Sequence, residues 1–154
     1  MNMPNPRILL IEDDEGLASA LERVLVDEHY AVDAEFRGDS GLTRAQAQPY
    51  DVVITDHKLP GLDGLELVRQ LHLARPSLPI ILMTAHGSTE TVIEATKLGA
   101  YDYLLKPFEM AQLLELMAQA VNSSRLMSEP VDMGDKLHRF GVHPVSHDSE
   151  PATF

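Results

Sequence analysis

Short apolar runs alternate along the chain with longer stretches in which apolar positions recur every three or four residues. Arg7-Ile8-Leu9-Leu10-Ile11, Val52-Val53-Ile54 and Pro79-Ile80-Ile81-Leu82-Met83-Thr84 are continuous and rich in β-branched residues, which suits strands covered on both faces. Ala31 to Phe36 alternates instead, with Val32, Ala34 and Phe36 against Asp33 and Glu35, and predicts a half-exposed edge strand. Tyr101 to Leu105 is a fifth strand. Between them, Leu17, Leu21, Val24 and Leu25 predict a helix from about Asp14 to Glu28, with acids in its first turn where the helix dipole favours them. Leu42 and Ala45 set the register of a helix over Gly38 to Gln48. Leu65, Val68 and Leu71 mark another over Asp63 to Ala74, stopped before Pro76. Ser88 is placed to cap a helix through Leu98, with Gly99 as its left-handed stop. Met110, Leu113, Leu114, Met117 and Val121 form the stripe of a final helix. Strand and helix alternating five times predict a parallel sheet with helices on both faces, joined by right-handed crossovers.

Composition narrows the class. The 154 residues suit one domain with an appendage, and 44% hydrophobic with 23% charged is ordinary globular usage. Acids outnumber bases 24 to 12, a formal charge of -12, which argues against binding a phosphate backbone through this chain. The absence of Cys removes disulfide and thiol chemistry and fits an intracellular setting. No apolar run is long enough to span a bilayer, and Met1 to Arg7 lacks the apolar core of a signal peptide, so a cytoplasmic location is expected.

In open sheets of this kind, sites form where the strands end at their carboxyl termini. Asp13, Asp14, Asp56, Thr84 and Lys106 all stand at such ends. Asp13, Asp14 and Asp56 are expected to converge on one rim, where three carboxylates either rise in pKa or take up a cation. An all-oxygen cluster suits Mg2+. Asp56 is then a candidate nucleophile toward a phosphoryl group, with Thr84 offering a hydroxyl and Lys106 a compact cation to the incoming oxygens. Taken singly, each has a plain structural explanation: Asp14 as a helix cap, Thr84 as a β-branched strand residue, Lys106 as a snorkelling surface side chain. Their coincidence at one rim is the signal.

Asp13-Asp14, Asp56 followed by Pro60-Gly61 and Gly64, Thr84-Ala85 and Lys106-Pro107 together resemble the receiver domain of bacterial two-component response regulators, over roughly Arg7 to Val121. The resemblance implies a flavodoxin-like (CheY-like) fold: a doubly wound five-stranded parallel sheet in the order 2-1-3-4-5 with five helices. It implies that Asp56 accepts a phosphoryl group from a sensor histidine kinase. Asp14, Asp56 and the Lys58 backbone carbonyl would ligate Mg2+ directly, and Asp13 through water. Thr84 and Lys106 would bind the phosphoryl oxygens, with small Ala85 leaving room. Tyr103 takes the place of the switch aromatic, and the Lys106-Pro107 peptide is expected to be cis. Thr84-Ala85-His86-Gly87-Ser88 and Gly99 to Phe108 are similar to receivers of the nitrogen-regulation type, which implies output through sigma-54-dependent transcription. Lys58 and His86 occupy positions that vary in the family and are placed to tune phosphate lifetime. A homodimer through the face of the fourth helix, fifth strand and fifth helix is expected, as is a protein that modifies only itself and no outside substrate.

Three other readings fit less well. A dehalogenase-type phosphatase carries Asp-x-Asp after its first strand, whereas Asp56 follows the third and has Lys58 two residues on. A pseudo-receiver would lack one or more of the site residues, and all are present. A nucleotide- or flavin-binding domain needs a glycine-rich loop after Ile8 to Ile11, where the chain has acids. After Asn122 the regular pattern fades. The receiver is therefore expected over 1–122, and 123–154 as a flexible tail or a truncated linker. His138, His143 and His147 in that stretch lack the partners of a metal site.

Overall fold

The computed structural model describes residues 4–85 and 89–128. Five strands and five helices alternate: β1 Arg7–Ile11, α1 Glu15–Asp27, β2 Ala31–Glu35, α2 Gly38–Ala47, β3 Val52–Asp56, α3 Gly64–Ala74, β4 Ile80–Thr84, α4 Thr89–Leu98, β5 Asp102–Leu105 and α5 Met110–Ser128. All strand pairs are parallel, and the order is β2-β1-β3-β4-β5. The expected fold class is therefore the one observed, with the alternating strand β2 at an edge.

Side-chain alternation divides the core in two. Ile8, Leu10, Val52, Ile54, Ile81 and Met83 point to one face, where Leu21 and Leu25 of α1 and Leu113, Leu116 and Met117 of α5 cover them. Leu9, Ile11, Val53, Ile80 and Leu82 point to the other, under Ala45 of α2, Leu67, Val68 and Leu71 of α3 and Ala95 of α4. Both faces of β1, β3 and β4 are thus apolar, which is why these strands read as unbroken hydrophobic runs. Each fully buried Leu or Ile contributes roughly 1.5–3 kcal/mol.

Local chemistry sets the ends of the helices. Asp14 caps α1, its Oδ1 accepting from the Leu17 amide at 3.1 Å, and Asp63 caps α3 through the Leu65 amide at 3.1 Å. Gly99 ends α4 at φ +111°, a conformation that Gly adopts without the Cβ penalty. The cap expected at Ser88 lies outside the described residues.

One boundary differs. The final helix does not stop near Asn122 but continues to Ser128, across the expected 122/123 division. Arg125 fastens the extra length, its Nη2 donating to Pro4 O at 2.8 Å and its Nε standing 3.8 Å from Asp51 Oδ1. The apolar stripe that signalled the helix ends at Val121, so a segment held by a polar contact left no periodic trace. The remainder of the tail, with His138, His143 and His147, lies outside the described residues.

Candidate functional site

The parallel register brings the strand ends together. Ile11 pairs with Thr55, which sets Glu12 beside Asp56, the next residue of each chain segment. Asp56 pairs with Met83, and Thr84 with Leu105. Backbone bonds carry the pairing beyond the strands: the Glu12 amide donates to Glu35 O at 3.0 Å, the His57 amide to Met83 O at 2.8 Å and the Lys106 amide to Thr84 O at 2.8 Å.

Lys106 is the hub. Its Nζ lies 2.9 Å from Asp56 Oδ1 and 2.8 Å from Glu12 Oε1. The Glu12 side chain is 1% exposed, and its other oxygen accepts from the Asp14 amide at 3.0 Å. Burial raises the Glu12 carboxyl above its usual range, and the Asp56 charge adds to that while Lys106 and the Asp14 amide oppose it. For Lys106, burial pulls the ammonium down, but its hydrogen bonds to Glu12 and Asp56 outweigh this and hold it above its usual value. Carboxylate oxygens of Glu12, Asp13 and Asp56 lie within 4.8 Å of one another. Three carboxylates against one ammonium leave an excess of negative charge, and the open side is where exposed Asp13 stands. The donor set is all oxygen, as a hard divalent cation requires.

The expected acidic pair is therefore shifted by one residue. Asp14 does not join the cluster; it is committed to the first turn of α1, as its structural alternative held. Glu12 takes the place beside Asp56. Alternation along β1 carried the signal: Glu12 follows Ile8 and Leu10 on one face, as Asp56 follows Val52 and Ile54. Asp13, Asp56 and Lys106 meet at this rim. Thr84 is buried at the neighbouring strand end, and the Lys106-Pro107 bond is cis. Lys58 is exposed two residues after Asp56, and half-buried Tyr103 packs on the α3–α4 side of the sheet. His86 lies outside the described residues.

One further residue near the rim carries no periodic signal in the sequence. His57 is buried directly after Asp56, with Nδ1 3.4 Å from Thr84 Oγ1 and Nε2 3.9 Å from Asp63 Oδ1.

A five-stranded parallel sheet in this order, with an acid cluster and a lysine at the carboxyl ends of its strands, defines a receiver-type site. The profile described as "Response regulator receiver domain" matches residues 8–118, and the chain belongs to that family. It is 41% identical over 107 residues to the response regulator ArlR of Staphylococcus epidermidis, covering 70% of this chain and 48% of that protein. Over 108 residues it is likewise 41% identical to ArlR of Staphylococcus aureus, covering 49% of that protein. The chain thus spans about half the length of these relatives. Among solved structures, the signal receiver domain of an HD domain-containing protein from Pseudomonas fluorescens superposes with a TM-score of 0.79 at 26% identity, covering 85% of this chain and 97% of that one. A CheY-like receiver domain protein from Methanospirillum hungatei gives 0.77 at 27%, covering 80% and 99%.

Proposed function

We propose that this receiver domain is a phosphorylation-controlled switch in which Asp56 accepts a phosphoryl group from a sensor histidine kinase. The observation that carries this reading is the contact of Asp56 Oδ1 with Lys106 Nζ at 2.9 Å inside a cluster completed by Glu12 and Asp13. An Asp56 carboxylate oxygen attacks phosphorus, the phosphorus–nitrogen bond of the donor histidine breaks, and its electron pair returns to the imidazole. The product is an acyl phosphate on Asp56. Lys106 neutralises charge on the phosphoryl oxygens, and the Thr84 hydroxyl donates to one of them. Glu12, Asp13, Asp56 and the Lys58 carbonyl would hold Mg2+, which would supply positive charge to offset the negative charge gathered at this rim. Glu12 also fixes the Lys106 ammonium at the rim.

The phosphoryl group biases an existing two-state equilibrium, with Thr84 drawn toward it and Tyr103 turning inward. Ile93 of α4, Tyr101 before β5, Leu105 of β5 and Met110 of α5 are large apolar residues left exposed. They support a homodimer through the α4-β5-α5 face. The protein modifies itself and no outside substrate. No helix among the described residues is long and apolar enough to cross a membrane. Control of transcription is the proposed output, and the sigma-54 route rests on the likeness of residues 84–88 and 99–108 to nitrogen-regulation receivers.

Intact mass after incubation with a small phosphodonor and Mg2+ tests the acceptor. The expected result is one phosphoryl adduct on the wild type, lost in Asp56→Asn and on chelation of the metal. A folded wild type that stays unmodified, under conditions that modify another receiver, would sink the reading and leave a pseudo-receiver.

A further inference from the structure

His57 occupies the side of β3 opposite to Asp56. Asp56 follows Val52 and Ile54 toward α1 and α5, whereas His57 follows Val53 toward the side of α2, α3 and α4. Thr84 follows Ile80 and Leu82 to that same side. The imidazole is held from both ends of its backbone, the His57 amide donating to Met83 O and the Gly64 amide donating to His57 O, each at 2.8 Å. Only 8% of the residue is exposed, yet both ring nitrogens face oxygen: Nδ1 toward Thr84 Oγ1 at 3.4 Å, Nε2 toward Asp63 Oδ1 at 3.9 Å. A carboxylate favours the proton on the nitrogen that faces it. In the neutral tautomer that carries its hydrogen on Nε2, Nδ1 is an acceptor and the Thr84 hydroxyl can donate to it.

A hydroxyl has one hydrogen to give. A phosphoryl oxygen on Asp56 needs that same hydrogen, because it can only accept. We propose that His57 is a positioning residue for the switch: by accepting from Thr84 in the unphosphorylated state, it holds the hydroxyl in the resting arrangement and raises the free energy of its recruitment to the phosphoryl group. The inference rests on the reading of Asp56 as acceptor and Thr84 as its hydroxyl partner. In that tautomer Nε2 turns its hydrogen toward Asp63, the cap of α3, so the turn after β3 is part of the device.

Three substitutions separate an acceptor role from space filling. His57→Asn keeps an amide oxygen near the position of Nδ1. His57→Leu keeps the volume with no acceptor, and His57→Gln keeps polarity nearer Nε2. The readout is the affinity for beryllium trifluoride, a phosphoryl mimic, with Mg2+ in excess, on variants shown folded by circular dichroism. Affinity is expected to tighten about three- to tenfold in His57→Leu and His57→Gln, the range one neutral hydrogen bond commands, and to stay within about twofold of wild type in His57→Asn. In a Thr84→Val background the His57 substitutions are expected to change nothing. Space filling gives another order, with Leu equal to wild type and Asn displaced, and that order would overturn the proposal. So would equal affinities throughout, or an effect that survives in Thr84→Val. If the wild type neither binds the mimic nor takes a phosphoryl adduct, the acceptor reading fails and the inference fails with it. His57→Gln carries the test if His57→Leu does not fold.

Discussion

Buried polar side chains of this protein act in groups whose members set one another's charge. Glu12 is tolerable in the core only because Lys106 and the Asp14 amide meet its two oxygens. At the other end of the sheet, the Tyr50 hydroxyl donates to Asp33 Oδ2 at 2.7 Å, and Arg7 and Arg44 approach the same carboxylate. Burial first, then the Asp33 hydrogen bond, pushes the Tyr50 phenol up to about 12, while that same bond is the main cause holding Asp33 below its usual value. The two signs are opposite. Between pH 10 and about 12 the unfolded chain has lost the phenolic proton that the folded chain keeps, so the contribution of Tyr50 is complete below pH 10 and disappears across that window. Asp33 contributes above its unfolded value of 3.8, and its share is lost as pH falls through the lower folded value. Thermal melts against pH should show both declines in the wild type. In Tyr50→Phe the alkaline decline should shrink, and the acid decline should become shallower.

At the scale of elements, the loop between β1 and α1 assigns separate work to adjacent acids. Glu12 continues the strand, Asp13 faces the open side of the cluster, and Asp14 starts the helix. Asp14→Ala is expected to cost about 1 kcal/mol of stability in urea unfolding, the usual value of an N-cap, with Mg2+ affinity unchanged. Asp13→Asn is expected to do the reverse. It should raise stability in the presence of a chelator, because one of three crowded charges is gone. It should also lose the stabilisation by Mg2+, which grows by about 1.4 kcal/mol for each tenfold excess of ion over Kd and is read as a rise in Tm. Two variants that both lose Mg2+ binding would contradict this division. Gly64 shows how close the next loop lies: a Cβ there would stand 2.2 Å from the backbone oxygen of Asp56. The β3–α3 turn therefore has no room for a side chain at that point, and this close fit also fixes the carbonyl end of His57.

The whole molecule is two half-cores sharing one sheet. Leu116 of α5 and Leu71 of α3 are both fully buried, but on opposite faces and in separate clusters. Each Leu→Ala substitution should cost about 2–5 kcal/mol, and the pair should add to within about 0.5 kcal/mol, because they share no partner. Equilibrium unfolding of the singles and the double checks this. A marked shortfall in the double would mean that the faces relax together through the sheet.

The fold was legible in the sequence because its determinants are local and periodic. Apolar runs marked β1, β3 and β4, helical spacing marked the covering helices, and acids, hydroxyl and lysine at the strand ends pointed to one rim. Asp56, Asp13 and Lys106 could be chosen because each lies at or just past a strand end whose position the apolar run defines. The choice between neighbours was not local. Whether Glu12 or Asp14 stands beside Asp56 depends on the β1–β3 register and on which backbone amide each carboxylate meets. The extension of α5 depends on the contacts of Arg125 with Pro4 and Asp51, far away in sequence, and leaves no periodic mark. His57 had no signal of its own, since a single polar residue after a strand has no pattern. Only the meeting of β3, β4 and the cap of α3 gives its two nitrogens their oxygens. Periodicity and strand-end chemistry belong to the sequence alone, whereas register, burial and the partner of each polar atom come into being only when distant segments pack.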